Sequence, residues 1–589
     1  MPRAQRFPLP HGGAALPHRR GRRNIAGRAA SFPREIADAR EGCFLMAERT
    51  RAARRQIAVE EDGGGLSGGF DARGDGPDAL PDLRVMLTAR EAFPFLEHMF
   101  LTAQSRVSCG FRVFDPETPL VSDEARAVGE SWSDLVAHTL GRGVRVSLVL
   151  SDFDPVGAPI MHRMTHRSIR SFREAAEAAG AARGLEIDAH LHPARAGLPF
   201  RLLFAPLARR YLARIAEGLE AQGERIRNAR LADSPRLARL LEMRGGRLRP
   251  RRLALPVLST CTHHQKVAVA DGERLYVGGL DLDERRLDTL DHDRAAGRTW
   301  HDVALAFTGP VAAHAEAHLD AFRDEVAGHA RPPARDGFLR TLSRRRRGLG
   351  ALRFGPRPLV SEVHDRTRAA LARAEELVYL ESQFLRDVHF ARALARRARE
   401  APHLGLIVVL PAAPEDVAFL HDTGIGQRFG EHLQAKSVDI LARAFGERAA
   451  FVSPAQPRGV APDGTRAVLW GAPIVYVHAK VSVADGHTAI VSSANLNGRS
   501  HHWDTEAGVA LRDPAQVTLL RDRLMAHWLP RDVGQEFHDP ARAPAAWRRL
   551  AETNRARAPH ERQGFLLPYP QRAPRRFGRP VPFLPQNLM

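Results

Sequence analysis

Lysine is almost missing from this 589-residue chain. Only Lys266, Lys436 and Lys480 occur, so 87 − 3 = 84 of the basic residues are arginine. Cysteine is as rare: Cys43, Cys109 and Cys261 cannot build a disulfide framework, and no pair has metal-ligand spacing. The chemistry is therefore expected from other side chains, with no metal site and no required cofactor; calcium dependence is left open. No apolar run reaches transmembrane length, and the longest stretches, such as Leu404 to Leu410, suit buried strands. The N-terminus is rich in Arg and Pro and lacks the apolar block of a secretory signal. The expected location is the cytoplasm or the periphery of a membrane, the alternative being export by a route without a signal peptide.

What is present in excess is positive charge. Eighty-seven Lys+Arg against 68 Asp+Glu give +19, which favours anionic partners such as phospholipid surfaces or nucleic acid. Part of the excess sits in residues 1–55, with 13 Arg against 4 acidic residues, and a bias towards Arg explains it equally well. The placement of lysine says more. Two of the three occupy the same position in a repeated motif, where a compact ammonium stands in place of the broad guanidinium used almost everywhere else. A phosphate oxygen in a narrow site would require that.

At 65.0 kDa two or more domains are expected. Residues 1–80 read as a disordered basic, Gly-rich arm, within which Met46 is an alternative start. Residues 81–330 and 351–555 each run through alternating helix and strand. The spacing predicts helices over 89–104, 132–140, 366–376 and 389–400, with strands over 107–114, 144–150, 377–381 and 404–410. The order repeats, which points to a duplicated α/β unit. Residues 331–350, with Pro332-Pro333 and Arg344 to Arg347, read as a linker, and 556–589 as an extended Pro/Arg-rich tail. Residues 160–255 read as a helical insertion in the first half. It carries an apolar stripe, Phe204, Leu207, Tyr211, Leu212, Ile215 and Leu219, beside Arg209, Arg210 and Arg214; such a stripe serves either a core or a membrane surface.

The first motif is His264-Gln265-Lys266, with Asp271 five residues on, followed by Gly278-Gly279-Leu280-Asp281. The second is His478-Ala479-Lys480, with Asp485, followed by Ser492-Ser493-Ala494-Asn495. Residues i and i+2 of a strand share a face, so each His stands beside its Lys. Two such strands facing one another would surround one phosphate with two imidazoles and two ammoniums. That set suits two-step phosphodiester cleavage, in which one neutral imidazole attacks phosphorus and the other, protonated, serves the leaving alcohol. Asn495 and the lysines would bind the non-bridging oxygens. Asp302 and Glu506 lie at similar distances beyond the two motifs and are assigned to orient the imidazoles through their second nitrogens. Asp281, Gly279, Ser493 and Gln383 are assigned supporting roles.

These residues resemble the phospholipase D superfamily, and most nearly its plant-type and other eukaryotic members. The likeness rests on Thr262–Lys266, Gly278–Leu282, Trp300–Asp302, Gly309–Ala312, Tyr379–Phe384, Tyr476–Lys480, Ser493–Ser500 and Asp504–Glu506, and spans about residues 85–540. It implies an α/β fold, a pseudo-twofold α/β/α/β/α sandwich with the active site between the halves. It also implies hydrolysis of phosphatidylcholine-like lipids to phosphatidic acid and head-group alcohol, with His264 as nucleophile and His478 as general acid. Catalytic roles for Asp271 and Asp485 come with it. The chain departs from the family in having no calcium-binding lipid domain before the catalytic region, and in reading Ser492-Ser493 where the family has Gly-Ser. The expected partner is a phospholipid at a membrane surface, with no nucleic acid and a monomeric chain. The alternatives are a cardiolipin synthase-like phosphatidyltransferase, which uses the same intermediate, and a nuclease of the same superfamily. A non-enzymatic lipid-binding or scaffold role is disfavoured because every expected catalytic group is retained.

Overall fold

Both motifs open onto five-residue strands, Lys266–Ala270 and Lys480–Ala484, that are buried along their whole length. In the first, Val267 and Val269 point into a core shared by both halves, while Ala268 and Ala270 face the outer helices. Alternation of this kind, apolar on both faces, requires covering layers on each side. The computed structural model describes residues 79–589 except Leu253, Pro462 and Phe583, so all but the last two positions of the basic arm, with Cys43 and Met46, lie outside the described residues.

The first sheet contains β1 (Arg84–Leu87), β2 (Arg106–Phe111), β3 (Arg145–Ser151), β4 (Leu185–His190), β5 (Lys266–Ala270), β6 (Arg274–Gly278) and β7 (Val303–Thr308), in the order β1-β7-β6-β5-β2-β3-β4. The second contains β8 (Phe338–Arg344), β9 (Arg357–Ser361), β10 (Leu377–Ser382), β11 (Gly405–Val409), β12 (Ala449–Pro454), β13 (Lys480–Ala484), β14 (Thr488–Ser492), β15 (Glu506–Leu511) and β16 (Leu566–Pro568). Its order is β9-β8-β15-β14-β13-β10-β11-β12-β16. Removing β8 and β16 leaves the same seven-strand order as the first sheet. The helices repeat too: α1 (Thr88–Thr102), α2 (Trp132–Gly141) and α3 (Pro159–Ala178) match α6 (Glu362–Arg373), α7 (Val388–Glu400) and α8 (Ile425–Phe445). After the last shared strand of each half come α5 (Pro310–Ala327) and α9 (Pro514–Trp528), whose Leu319 and Leu520 enter the core between the sheets. The layers run helix, sheet, helix, sheet, helix.

Three segments differ from the sequence reading. The linker assigned to 331–350 contains β8, inserted between β9 and β15. Its charge is misleading, since Arg340 is buried and its guanidinium is held by both oxygens of Glu362 at 3.0 Å. The insertion of 160–255 is shorter than its composition implied, because α3 and β4 are counterparts of α8 and β12. What remains is centred on α4 (Leu198–Glu220) and the hairpin Leu241–Arg244/Arg247–Pro250. The tail at 556–589 is packed: β16 pairs with β12, and Leu566 and Leu567 are buried.

Helix α4 divides its stripe between two environments. Leu212, Ala216 and Leu219 enter a small core with Val156, Leu237 and Leu248. Towards its start, Leu198, Leu202, Leu203, Phe204 and Leu207 are exposed, as are Leu349 and Leu352 of the neighbouring segment.

The aspartates that end the motifs lie at the far ends of their strands, roughly 16 Å from the lysines at about 3.3 Å per residue. Asp271 accepts from the backbone N–H groups of Gln104, Ser105 and Arg106 at 2.8–3.2 Å, and Asp485 from those of Glu375, Glu376 and Leu377 at 2.9–3.3 Å. Both adopt left-handed backbone, with φ of 56° and 53°. Their assignment as catalytic residues is therefore corrected: each ties the turn after β5 or β13 to the start of β2 or β10. Asp271→Asn tolerates the left-handed turn but removes one acceptor and the charge. It should lower stability by about 1–2 kcal/mol in thermal unfolding, while turnover per folded molecule stays within a factor of two or so. Loss of turnover without loss of stability would return Asp271 to the chemistry.

Candidate active site

The two halves meet through a short exchange of backbone hydrogen bonds that occurs twice. His264 N–H donates to Thr505 O at 2.8 Å, and Thr505 N–H to Thr262 O at 3.0 Å. His478 N–H donates to His301 O at 2.7 Å, and His301 N–H to Tyr476 O at 2.8 Å. Each motif histidine is thus registered against the start of a strand from the opposite half, β15 for His264 and β7 for His478.

The next residue of each partner strand is a carboxylate, and it reaches the imidazole across the seam. Asp302 Oδ2 lies 2.6 Å from His478 Nδ1, and Glu506 Oε2 lies 3.1 Å from His264 Nδ1, which also approaches Ser493 O at 3.1 Å. Chain order would pair each carboxylate with the motif it follows; the structure crosses the pairs. With Nδ1 engaged, Nε2 is the nitrogen each ring offers to a substrate. His478 is buried, whereas His264 keeps 12% of its side-chain surface, so access is from the His264 side.

Both lysines sit within the same enclosure. Lys266 Nζ donates to His264 O at 2.6 Å and lies 3.6 Å from Asp281 Oδ2. Lys480 Nζ bonds His478 O and lies 2.8 Å from His478 Nδ1. Burial pushes both imidazoles well below their ordinary range. The ammonium of each ring's own motif adds to this, and so does that of the opposite motif: Lys480 acts on His264 and Lys266 on His478. Burial, followed by the charge of Lys266, lowers Lys480 to about 7, against the pull of Asp302. Each motif thus lies within the electrostatic reach of the other. An anionic phosphate entering the enclosure would restore charge to the cations.

The two carboxylates are not equivalent. Burial raises Asp302 to about 6, with Lys480 opposing; burial and Asp504 raise Glu506 to about 8, with Lys266 opposing. At neutral pH Asp302 is ionised and Glu506 is mostly protonated. The small-residue turns match this difference in length. A Cβ at Gly279 would fall 2.1 Å from Asp302 Oδ1, so the shorter acid needs glycine there. At the equivalent place Ser493 donates its hydroxyl to Glu506 Oε2.

The other assigned residues lie around this centre. Asp281 accepts from Val113 N–H at 3.1 Å and has a second buried oxygen without a hydrogen bond; Asn495 likewise holds Oδ1 buried and unpartnered. Gln383 donates to Tyr476 Oη at 2.9 Å. Two cations escaped the sequence reading. Arg112, just past β2, lies 4.0 Å from Asp281 and acts on His264; Arg286 sits 3.7 Å over Trp300, which packs 4.6 Å from His478. Among 84 arginines neither carried a signal. A cleft of about 970 Å³ near Trp470, Arg555 and Arg576 contains none of the motif residues.

Residues 463–528, which carry the second motif, Asn495 and Glu506, match the family described as "Cardiolipin synthase, PLD-like domain". No curated protein matches the chain. Among solved structures, it is similar to phosphatidylserine synthase of Haemophilus influenzae Rd KW20, at 8% identity over 80% of this chain and 93% of that one, with a TM-score of 0.43. It is also similar to a polyphosphate kinase from Porphyromonas gingivalis, at 10% identity over 76% of this chain and 46% of that one (TM-score 0.37). A third is Nuc of Salmonella typhimurium, described as a phospholipase D family member, at 11% identity over 28% of this chain and 88% of that one (TM-score 0.19). The chain thus spans about half the length of the kinase.

The inequality of the two carboxylates sets a prediction. Asp302→Asn should lower kcat/KM by roughly three to four orders of magnitude, because the charge that supports an imidazolium is lost. Glu506→Gln, which replaces an already neutral acid, should cost about tenfold or less. Loss of the Asp302 charge as pH falls through about 6 should give an acid limb to kcat/KM, and the Asn variant should flatten it. Equal losses in the two variants would overturn the assignment.

Proposed function

We propose that the protein is a phospholipase D, hydrolysing the distal phosphodiester of glycerophospholipids such as phosphatidylcholine to phosphatidic acid and head-group alcohol. The observation that carries this reading is the pair of crossed carboxylate–imidazole contacts, with two lysines in the same enclosure. His264, next to a neutral acid, stays unprotonated and attacks phosphorus through Nε2, forming a phosphohistidine as the P–O bond to the head group breaks. His478 takes up a proton on Nε2 once the anionic phosphate is bound, because the phosphate and ionised Asp302 then offset the lysines, and it gives that proton to the departing alkoxide. It then takes a proton from water, which attacks phosphorus and releases His264. Lys266, Lys480 and Asn495 hold the non-bridging oxygens. No cofactor is required in this scheme, and each chain holds a whole site, so a monomer suffices.

An alcohol in place of water would give transphosphatidylation. The description of the family matched by residues 463–528 favours that second reading, a phosphatidyltransferase of cardiolipin synthase type. No helix among the described residues is long and apolar enough to cross a membrane. The exposed start of α4 supports a lipid substrate over a nucleic acid, since Leu202, Leu203 and Phe204 stand in water beside arginines. Arg195 and Arg201 there are lowered by burial and by the charge of Arg345, a cluster of like sign that an anionic bilayer would relieve. The resemblance to plant-type enzymes, noted from the motifs, fits the same substrate class.

The test uses phosphatidylcholine and phosphatidylglycerol vesicles with a little ethanol, following phosphatidic acid, phosphatidylethanol, cardiolipin and free head group. Head-group release is expected, and His264→Ala or His478→Ala should each remove several orders of magnitude, because the rings act as one unit. Cardiolipin as the main product would select the transferase. Cleavage of single-stranded DNA with lipids untouched would replace both readings with a nuclease.

A further inference from the structure

Behind the active site, on the same seam, three histidines converge that the chemistry above does not use. His292 comes from the loop between β6 and β7, His301 directly precedes Asp302, and His527 lies in the last turn of α9. One ring nitrogen from each lies within 4.8 Å of the other two. His292 Nε2 and His527 Nε2 are 3.0 Å apart, and ring centroids are separated by 5.1, 4.8 and 5.8 Å. Imidazoles sharing a tetrahedral ion at about 2.0–2.1 Å would place their donor nitrogens roughly 3.3 Å apart.

Two further observations separate this group from a chance gathering of rings. First, His301 is fully buried, and its Nδ1 makes no hydrogen bond, the one close polar partner of the ring being Glu381 at Nε2. A buried, unsatisfied imidazole is costly unless something takes its lone pair. Second, carboxylates stand behind the rings. Asp288 Oδ2 lies 2.6 Å from His292 Nδ1, which fixes the tautomer that leaves Nε2 free, and Glu381 Oε1 lies 2.6 Å from His301 Nε2. Carboxylates behind histidines are the usual outer shell of a transition-metal site. Two other such groups among the described residues, Asp152 with His162 and His166, and Asp387 with His364 and His501, lack this orphan. Asp152 is already bonded to His162 and Arg236, and Asp387 to His501.

We infer that His292, His301 and His527 form a binding site for a divalent transition-metal ion, of which zinc is the best match to three neutral imidazoles. His292 and His301 belong to the first half, and His527 and Glu381 to the second. The ion would therefore tie the loop that presents Asp302 to the opposite half. His301 is itself a seam residue, its carbonyl accepting from His478 N–H at 2.7 Å, so the ion would brace the strand that orients the general acid. This is a structural role, separate from the phosphodiester chemistry, and its test does not use turnover.

The full chain is stripped with a chelator, checked for folding by circular dichroism, and titrated with Zn²⁺ by calorimetry. Co²⁺ substitution and thermal unfolding are read alongside. One equivalent of Zn²⁺ is expected, with a raised unfolding midpoint and visible Co²⁺ bands of a four-coordinate site. His527→Gln, a polar replacement at a partly buried position, should abolish this binding, as should His292→Ala. Asp288→Asn, a positioning change, should weaken it by about 10–100-fold. His162→Ala and His364→Ala should leave it unchanged. Absence of tight Zn²⁺ binding overturns the inference. So does one equivalent retained by the folded His527→Gln and His292→Ala variants, or lost from the His162 or His364 variants.

Discussion

Everything in this site hangs on two carboxylate–imidazole contacts that cross between halves of one chain. An imidazole left alone in a buried pocket loses its proton and its orientation; an acid on Nδ1 fixes the tautomer, and where it is ionised, as Asp302 is, it adds a counter-charge. Here neither half provides that carboxylate to its own histidine. The seam must close before either ring is aligned, and the paired backbone bonds at Thr505 and His301 set the register of closure.

Duplication supplies the symmetry, and small departures from it make the two halves unequal. With serine for glycine at one turn and glutamate for aspartate at one strand start, the two orienting acids differ in proton affinity, at about 6 and about 8. The added strand β8 and the segment around α4 break the symmetry further out, where the first half gains an apolar and arginine-rich surface.

Much of this was legible in the residues themselves. Rare lysine, used twice in one context, marked Lys266 and Lys480, and the repeated order of helices and strands marked the duplication. Other features were hidden for physical reasons. Spacing along a chain says which residues share a strand face but not which half lies opposite, so the crossing of Asp302 and Glu506 was out of reach. The proximity of Asp271 to Lys266 in the motif suggested shared chemistry, yet five extended residues carry it to the other end of the strand. Arg112 and Arg286 were lost in a chain that uses arginine almost everywhere. Arg340 fell within the segment read as a linker, although Glu362 allows it to lie inside a sheet. The three histidines behind the seam are separated by up to 235 residues, and no local pattern gathers them.

The crossed contacts also bear on how the molecule comes into being. Residues up to about 330 emerge from the ribosome with one complete motif, but the acid that orients its histidine is Glu506, still unsynthesised. A nascent first half therefore lacks the acid that aligns its histidine, and the site is completed in a single event late in translation. Cleaving the chain between its halves would give two pieces, each holding the part that the other lacks.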